Sequence, residues 1–193
     1  MKRNAVLAVL IAGVAGVGFF LFPIQGQGQG AADSESVVQR GFAAVPDFLQ
    51  LNLAKKNRSL VGEGSYYVNG ISACVGCHNA DPNNVTAANY LTGGQSFGPV
   101  QSRNLTPDAA GRPAGLTLSE FKEVIRFGTD FDHLPPNVPG PGGRDILIVM
   151  PWPELRHGTD RYIESIYEYL STLPCHTGGP ALDPDRLTRC NGQ

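Results

Sequence analysis

Cys74-Val75-Gly76-Cys77-His78 is the stretch whose reading decides the fold. Two thiols with two residues between them match the separation of two vinyl groups on one porphyrin edge. The histidine that follows at once is then held under the iron as an axial ligand. The pattern predicts one covalent haem c per chain, with Cys74 and Cys77 as thioether links and His78 on the metal. Two other chemistries use paired cysteines, and both fit worse. A redox dithiol sits at the end of a strand in an α/β domain, a pattern this chain lacks. A zinc site needs a second closely spaced ligand pair, and Cys175 and Cys190 are far apart.

A second axial ligand must come from elsewhere in the chain. Met150 is the only methionine after Met1 and stands in Met150-Pro151-Trp152, behind a loop holding Pro135, Pro136, Pro139 and Pro141. Methionine more often fills gaps in a core. Its uniqueness and position nevertheless favour it over His133 and His157 as the sixth ligand. His/Met coordination raises the potential relative to two histidines and leaves no open site, which suits a carrier.

Outward from this motif, both ends of the chain speak to compartment. Lys2 and Arg3 precede an uninterrupted apolar run from Ala5 to Phe22. As a helix this run spans about 27 Å, near the thickness of a hydrocarbon core. Residues 1–22 therefore read as a signal peptide or an uncleaved anchor, the length favouring the anchor over the usual apolar core of roughly 7–15 residues. The positive flank stays cytoplasmic, so everything after Pro23 is expected to be exported. After export the two remaining thiols, Cys175 and Cys190, are expected to form a disulfide closing a Gly/Pro-rich tail, residues 175–193. A metal site built from them and His176 is the weaker alternative, having one histidine only.

Residues 23–58 read as a tether and extension. Gln/Gly repeats come first, then a mixed stretch from Val37 to Arg58 with Pro46 inside it and only short helical pieces. The compact domain is expected over 59–174. Leu60–Ala73 reads as a first helix entering the cysteine motif. Asn79–Gly115 is a long Asn-, Gly- and Pro-rich loop, of the kind that marks a functional site. Thr117-Leu118-Ser119-Glu120 is a capping box opening a second helix, closed by Gly128. Asp145–Met150 is a short apolar run open to misreading as a strand. Thr159 caps a last helix with Ile163, Ile166, Tyr167 and Leu170 on one face, ended by Pro174. The reading is all-α, with long loops.

Charge excludes little beyond nucleic acid. The 193-residue chain has a formal net charge of -2 and no Lys/Arg run. Setting Lys2 and Arg3 aside from its 15 Lys and Arg leaves a mildly acidic exported part against 17 Asp and Glu. That acidity permits steering towards a basic partner without naming one.

With these motifs in order, the sequence resembles the class I, single-haem cytochrome c superfamily, and within it haem domains that accompany periplasmic dehydrogenases. The resemblance rests on Cys74–His78, Phe97-Gly98-Pro99, Arg103-Asn104-Leu105-Thr106-Pro107-Asp108 and Leu118-Ser119-Glu120-Phe121. Met150-Pro151-Trp152 and Ile166–Leu170 complete it, over about Ser59 to Pro174. It implies a small helical bundle around one covalent haem, its first and last helices crossing near Gly64, Tyr67 and Tyr169. It further implies that the Pro99 carbonyl accepts the His78 ring N–H, and that Arg103, Asn104 and Trp152 lie near the haem propionates. The expected function is single-electron transfer between a dehydrogenase or respiratory-chain donor and a terminal acceptor, without catalysis. A haem subunit docked to a periplasmic dehydrogenase is the alternative. A peroxidase is a third, more remote one, since it needs a displaceable axial position.

Overall fold

The computed structural model describes residues 29–131 and 138–177 together with Cys190, and side chains from residue 36 onward. The fold is small and mostly helical. Its helices are α1 (Gln29–Ala43), α2 (Arg58–Tyr66), α3 (Cys74–Cys77), α4 (Leu118–Phe127), α5 (Trp152–Leu155) and α6 (Asp160–Leu170). One two-residue hairpin, β1 (Ser96–Phe97) and β2 (Val100–Gln101), is the sheet content among the described residues, pairing Phe97 with Val100. The run at Asp145–Met150 forms no strand. It contributes isolated bridges, one of them between Ile146 and Thr129.

Helix α2 starts where the Asn57 side chain accepts hydrogen bonds from the backbone N–H groups of Ser59 and Leu60. Its glycines lower helix propensity, and packing explains why they are there. A Cβ at Gly64 would lie 1.9 Å from the Ser165 carbonyl oxygen and 2.7 Å from Tyr169 Cβ on α6. Only a residue without a side chain lets the two backbones come this close. Buried Glu63 braces the same contact, accepting from Arg161 Nε at 2.8 Å and Nη2 at 2.6 Å.

The far ends of these helices follow their capping chemistry. Thr117 and Glu120 form the reciprocal box, and Gly128 closes α4 at φ 69°. Thr159 Oγ1 accepts from the Tyr162 N–H to start α6. The core gathers Val61 and Val68 with Phe121, Ile125, Ile163, Ile166, Tyr169 and Leu170; Tyr90 and Leu91 join it from the long loop.

The segment expected as a tether and extension departs from that reading. Where only short helical pieces were expected, α1 runs to Ala43 and packs on α2 through a second glycine contact. A Cβ at Gly41 would lie 1.7 Å from the Gly62 carbonyl oxygen. Gly30 and Gly41 lower the propensity of this helix, and a partner surface stabilises it. The buried Ser65 hydroxyl donates to the Gly41 carbonyl at 2.7 Å, and Arg58 lies 4.6 Å over the Phe42 ring. Beyond α1, Val45, Leu49, Leu51 and Leu53 pack against the core.

Among the described residues no helix is long and apolar enough to cross a membrane. The run from Ala5 to Phe22 lies outside them.

The α2–α6 contact is directly testable. Gly64→Ala should lower stability by about 2 kcal/mol or more, since overpacking costs that much and backbone is the obstacle. Gly70→Ala, whose Cβ would meet nothing within 4 Å, should stay within about 1 kcal/mol of the parent. Urea denaturation of both variants measures the difference.

Candidate functional site

Helix α2 delivers the cysteine motif. After Tyr66 the helix widens into a π turn, Tyr67–Ile71, closed by the Ser72 N–H on the Tyr67 carbonyl at 2.9 Å. Ala73 then takes left-handed backbone at φ 46°, a conformation that reverses the chain into α3. The single turn of α3 places Cys74 half-buried and Cys77 exposed, and the His78 N–H bonds back to the Cys74 carbonyl at 2.9 Å. The fully buried Asn79 fastens this turn to the loop beyond it: its amide donates to the Val75 carbonyl, and its Oδ1 accepts from the Leu91 N–H at 2.6 Å.

Cys74, His78, Arg103, Leu147, Met150 and Leu155 line both of two adjoining, partly open cavities. Leu105, Leu116, Phe121, Val124, Ile125, Ile166 and Leu170 line the inner cavity, with Thr129, Asp130 and Tyr162 as its other polar side chains. Cys77, Phe97, Val100, Ile148 and Val149 line the outer one.

His78 is oriented by one hydrogen bond. Its Nδ1 lies 2.7 Å from the Arg103 carbonyl oxygen. A carbonyl only accepts, so Nδ1 carries the proton and Nε2 keeps its lone pair. This corrects the expected role of Pro99, which stands exposed at the hairpin tip. The hairpin turns the chain so that the backbone of Arg103, further along, reaches the ring. Burial lowers the His78 pKa, the bond to Arg103 acts against that, and the Arg103 charge adds to it. Burial also pushes the Cys74 thiol up to about 12.

The other expected site residues divide. Met150 meets Cys74 and His78 on the cavity wall. Arg103 also lines it, its guanidinium Nη2 2.8 Å from Asp130 Oδ2. Asn104 is not among the lining residues. It is buried, and its amide donates to the His176 carbonyl at 2.9 Å while Oδ1 accepts from the Thr106 N–H and hydroxyl. It secures the tail. Trp152 is a packing residue: its indole N–H donates to the Leu147 carbonyl at 3.0 Å, and its ring covers Gly128 so closely that a Cβ there would lie 2.3 Å away. This holds the segment leading into Met150. Of the rival ligands, His157 is exposed and lines neither cavity, and His133 lies outside the described residues.

Cys175 and Cys190 form a disulfide with Cα atoms 5.7 Å apart. Their thiols are therefore committed to each other, which removes the metal site with His176. Closing such a loop contributes about 3 kcal/mol in the chain-entropy model. Among the described residues, no three His, Cys, Asp or Glu side chains cluster as they would to hold a bare ion.

Sequence reasoning missed Asp130 and most of the apolar wall. For the wall a signal existed, since Phe121, Val124 and Ile125 share the stripe of α4. For Asp130 there was none, because an acid in a Pro-rich loop looks like any solvated residue. Comparison with family models, characterised proteins and solved structures finds no match to this chain.

The two thiols differ in a way chemistry can read. With both thiols reduced and free, iodoacetamide at pH 8 should modify Cys77 at least roughly tenfold faster than Cys74, because only the thiolate reacts. Mass spectrometry of the peptides over time measures the ratio.

Proposed function

We propose that this chain is a class I, single-haem c-type cytochrome that passes electrons one at a time on the periplasmic side of a bacterial inner membrane. The observation that carries the reading is the meeting of Cys74, His78 and the distant Met150 on one largely apolar cavity wall. The residues suit the group: two thiols at one edge, an imidazole with Nε2 available, a soft thioether, and hydrocarbon for the faces of a macrocycle. Haem c bound there supplies reversible one-electron exchange between ferric and ferrous iron.

The chain's own residues do the rest. Cys74 and Cys77 hold one edge by covalent links. His78 is kept in one tautomer and orientation by the Arg103 carbonyl, which also raises its basicity as a ligand. Met150 would supply a soft thioether to the iron, which would favour the reduced state relative to a second histidine and leave no open position. Leu105, Leu116, Ile125 and Ile166 exclude water. The Arg103 guanidinium, on the same wall, suits an anionic propionate.

Ile148 and Val149 line the outer cavity and are 49% and 42% exposed. Such an apolar rim favours docking against a redox protein, whether a passing partner or a dehydrogenase to which this chain is bound. The leader, if retained, would anchor the carrier to the membrane.

Met150→Ala should retain covalent haem and lose the long-wavelength methionine–iron band of the ferric protein. Its potential should fall by more than about 59 mV, a tenfold change in the one-electron equilibrium, and cyanide should bind quickly. Redox titration and spectra check this. An unchanged spectrum would assign the sixth ligand to a histidine, and fast cyanide binding by the parent protein would favour a haem enzyme instead.

A further inference from the structure

Asp130 is a buried acid on a largely apolar wall, and the coordination scheme above leaves it without a task. Its side chain is 9% exposed and pairs with Arg103, 15% exposed, at 2.8 Å. Each partner is bound to the arm of a different proposed axial ligand. On one side, the Arg103 carbonyl accepts the His78 Nδ1–H at 2.7 Å. On the other, the Asp130 N–H donates to the Asp145 carbonyl at 2.8 Å, and the Leu147 N–H donates to the Gly128 carbonyl at 2.8 Å. These two bonds align 128–130 with 145–147, three residues before Met150.

We infer that Asp130 is a positioning and potential-setting residue: through Arg103 it ties the His78 arm to the Met150 arm, and its carboxylate holds a negative charge beside the redox centre. The inference rests on the cytochrome reading. Two effects follow, separable by substitution. A buried negative charge stabilises the oxidised, more positive state and lowers the potential, and low local dielectric makes it felt over a distance. The ion pair also fixes the spacing of the two arms, since removing one member of a buried pair leaves the other to rearrange.

Asp130→Asn keeps the size and a hydrogen-bonding oxygen but removes the charge. It should shift the one-electron equilibrium towards the reduced form roughly tenfold, the effect of a unit charge acting over about 10 Å at an effective dielectric near 20. The methionine–iron band should persist. Asp130→Ala removes the strut as well, and should additionally speed cyanide or imidazole binding as Met150 loosens. Asp47→Asn, an exposed acid that lines neither cavity, should leave both readouts unchanged.

The experiment is a redox titration with ligand-binding kinetics on the haem-loaded full chain, with haem content and circular dichroism checked for each variant. A parent protein lacking attached haem overturns the cytochrome reading and this inference with it. A parent with His/Met spectra and an Asp130→Asn potential unmoved or lowered overturns the inference alone. If Asp130→Ala fails to fold, the Asp130→Asn potential still decides the charge effect.

Discussion

The backbones of α2 and α6 approach so closely at Gly64 that even a methyl group there would strike the Ser165 carbonyl. The remaining structure is arranged around that contact. It brings Arg161 onto buried Glu63 and turns Tyr169 into the core. Because α2 leads through its π turn and the left-handed Ala73 to Cys74, the same contact helps set where Cys74 and His78 stand. The other face of α6 carries Ile166 and Leu170 to the inner cavity, so one packing event supplies both a reactive edge and an apolar wall.

A buried polar cluster keeps this arrangement unique. The Tyr90 and Tyr169 hydroxyls are 2.8 Å apart, Asn69 bonds both of them and the Ser65 hydroxyl, and Ser65 reaches the Gly41 carbonyl. It links α1, α2, α6 and the long loop. Burial raises the pKa of both tyrosines, so they stay neutral donors and acceptors. In a low-dielectric interior such groups must be satisfied together, which penalises alternative packings. The loop so anchored continues to Arg103, whose carbonyl orients His78.

Elements whose signals are local were legible in the sequence. The Thr117–Glu120 box, the Gly128 stop and the Thr159 cap are hydrogen bonds within four residues, and the structure has each of them. The Cys175–Cys190 pairing was legible because only these two thiols stand outside the Cys74–Cys77 motif. Helix α1 was not, since its stability comes from the glycine contact with α2 rather than from its own residues. That the Arg103 carbonyl, and not the Pro99 carbonyl implied by the resemblance, accepts from His78 has a similar reason. A carbonyl's direction depends on how the Ser96–Gln101 hairpin turns, and no residue type records that.

By itself, then, the sequence determined a set of chemical parts: a two-thiol, one-imidazole motif, a lone internal methionine, an apolar run from Ala5 to Phe22, and helices marked by their own caps. Tertiary structure alone decided which residues share a wall. It put Met150 and His78 on one cavity wall, set Asn104 and Trp152 to holding chain segments, and put Asp130 against Arg103. The physical reason is range. Caps and motifs act between neighbours in the chain, whereas a cavity is made by close packing of residues far apart in it, and here that packing hinges on one glycine having no side chain.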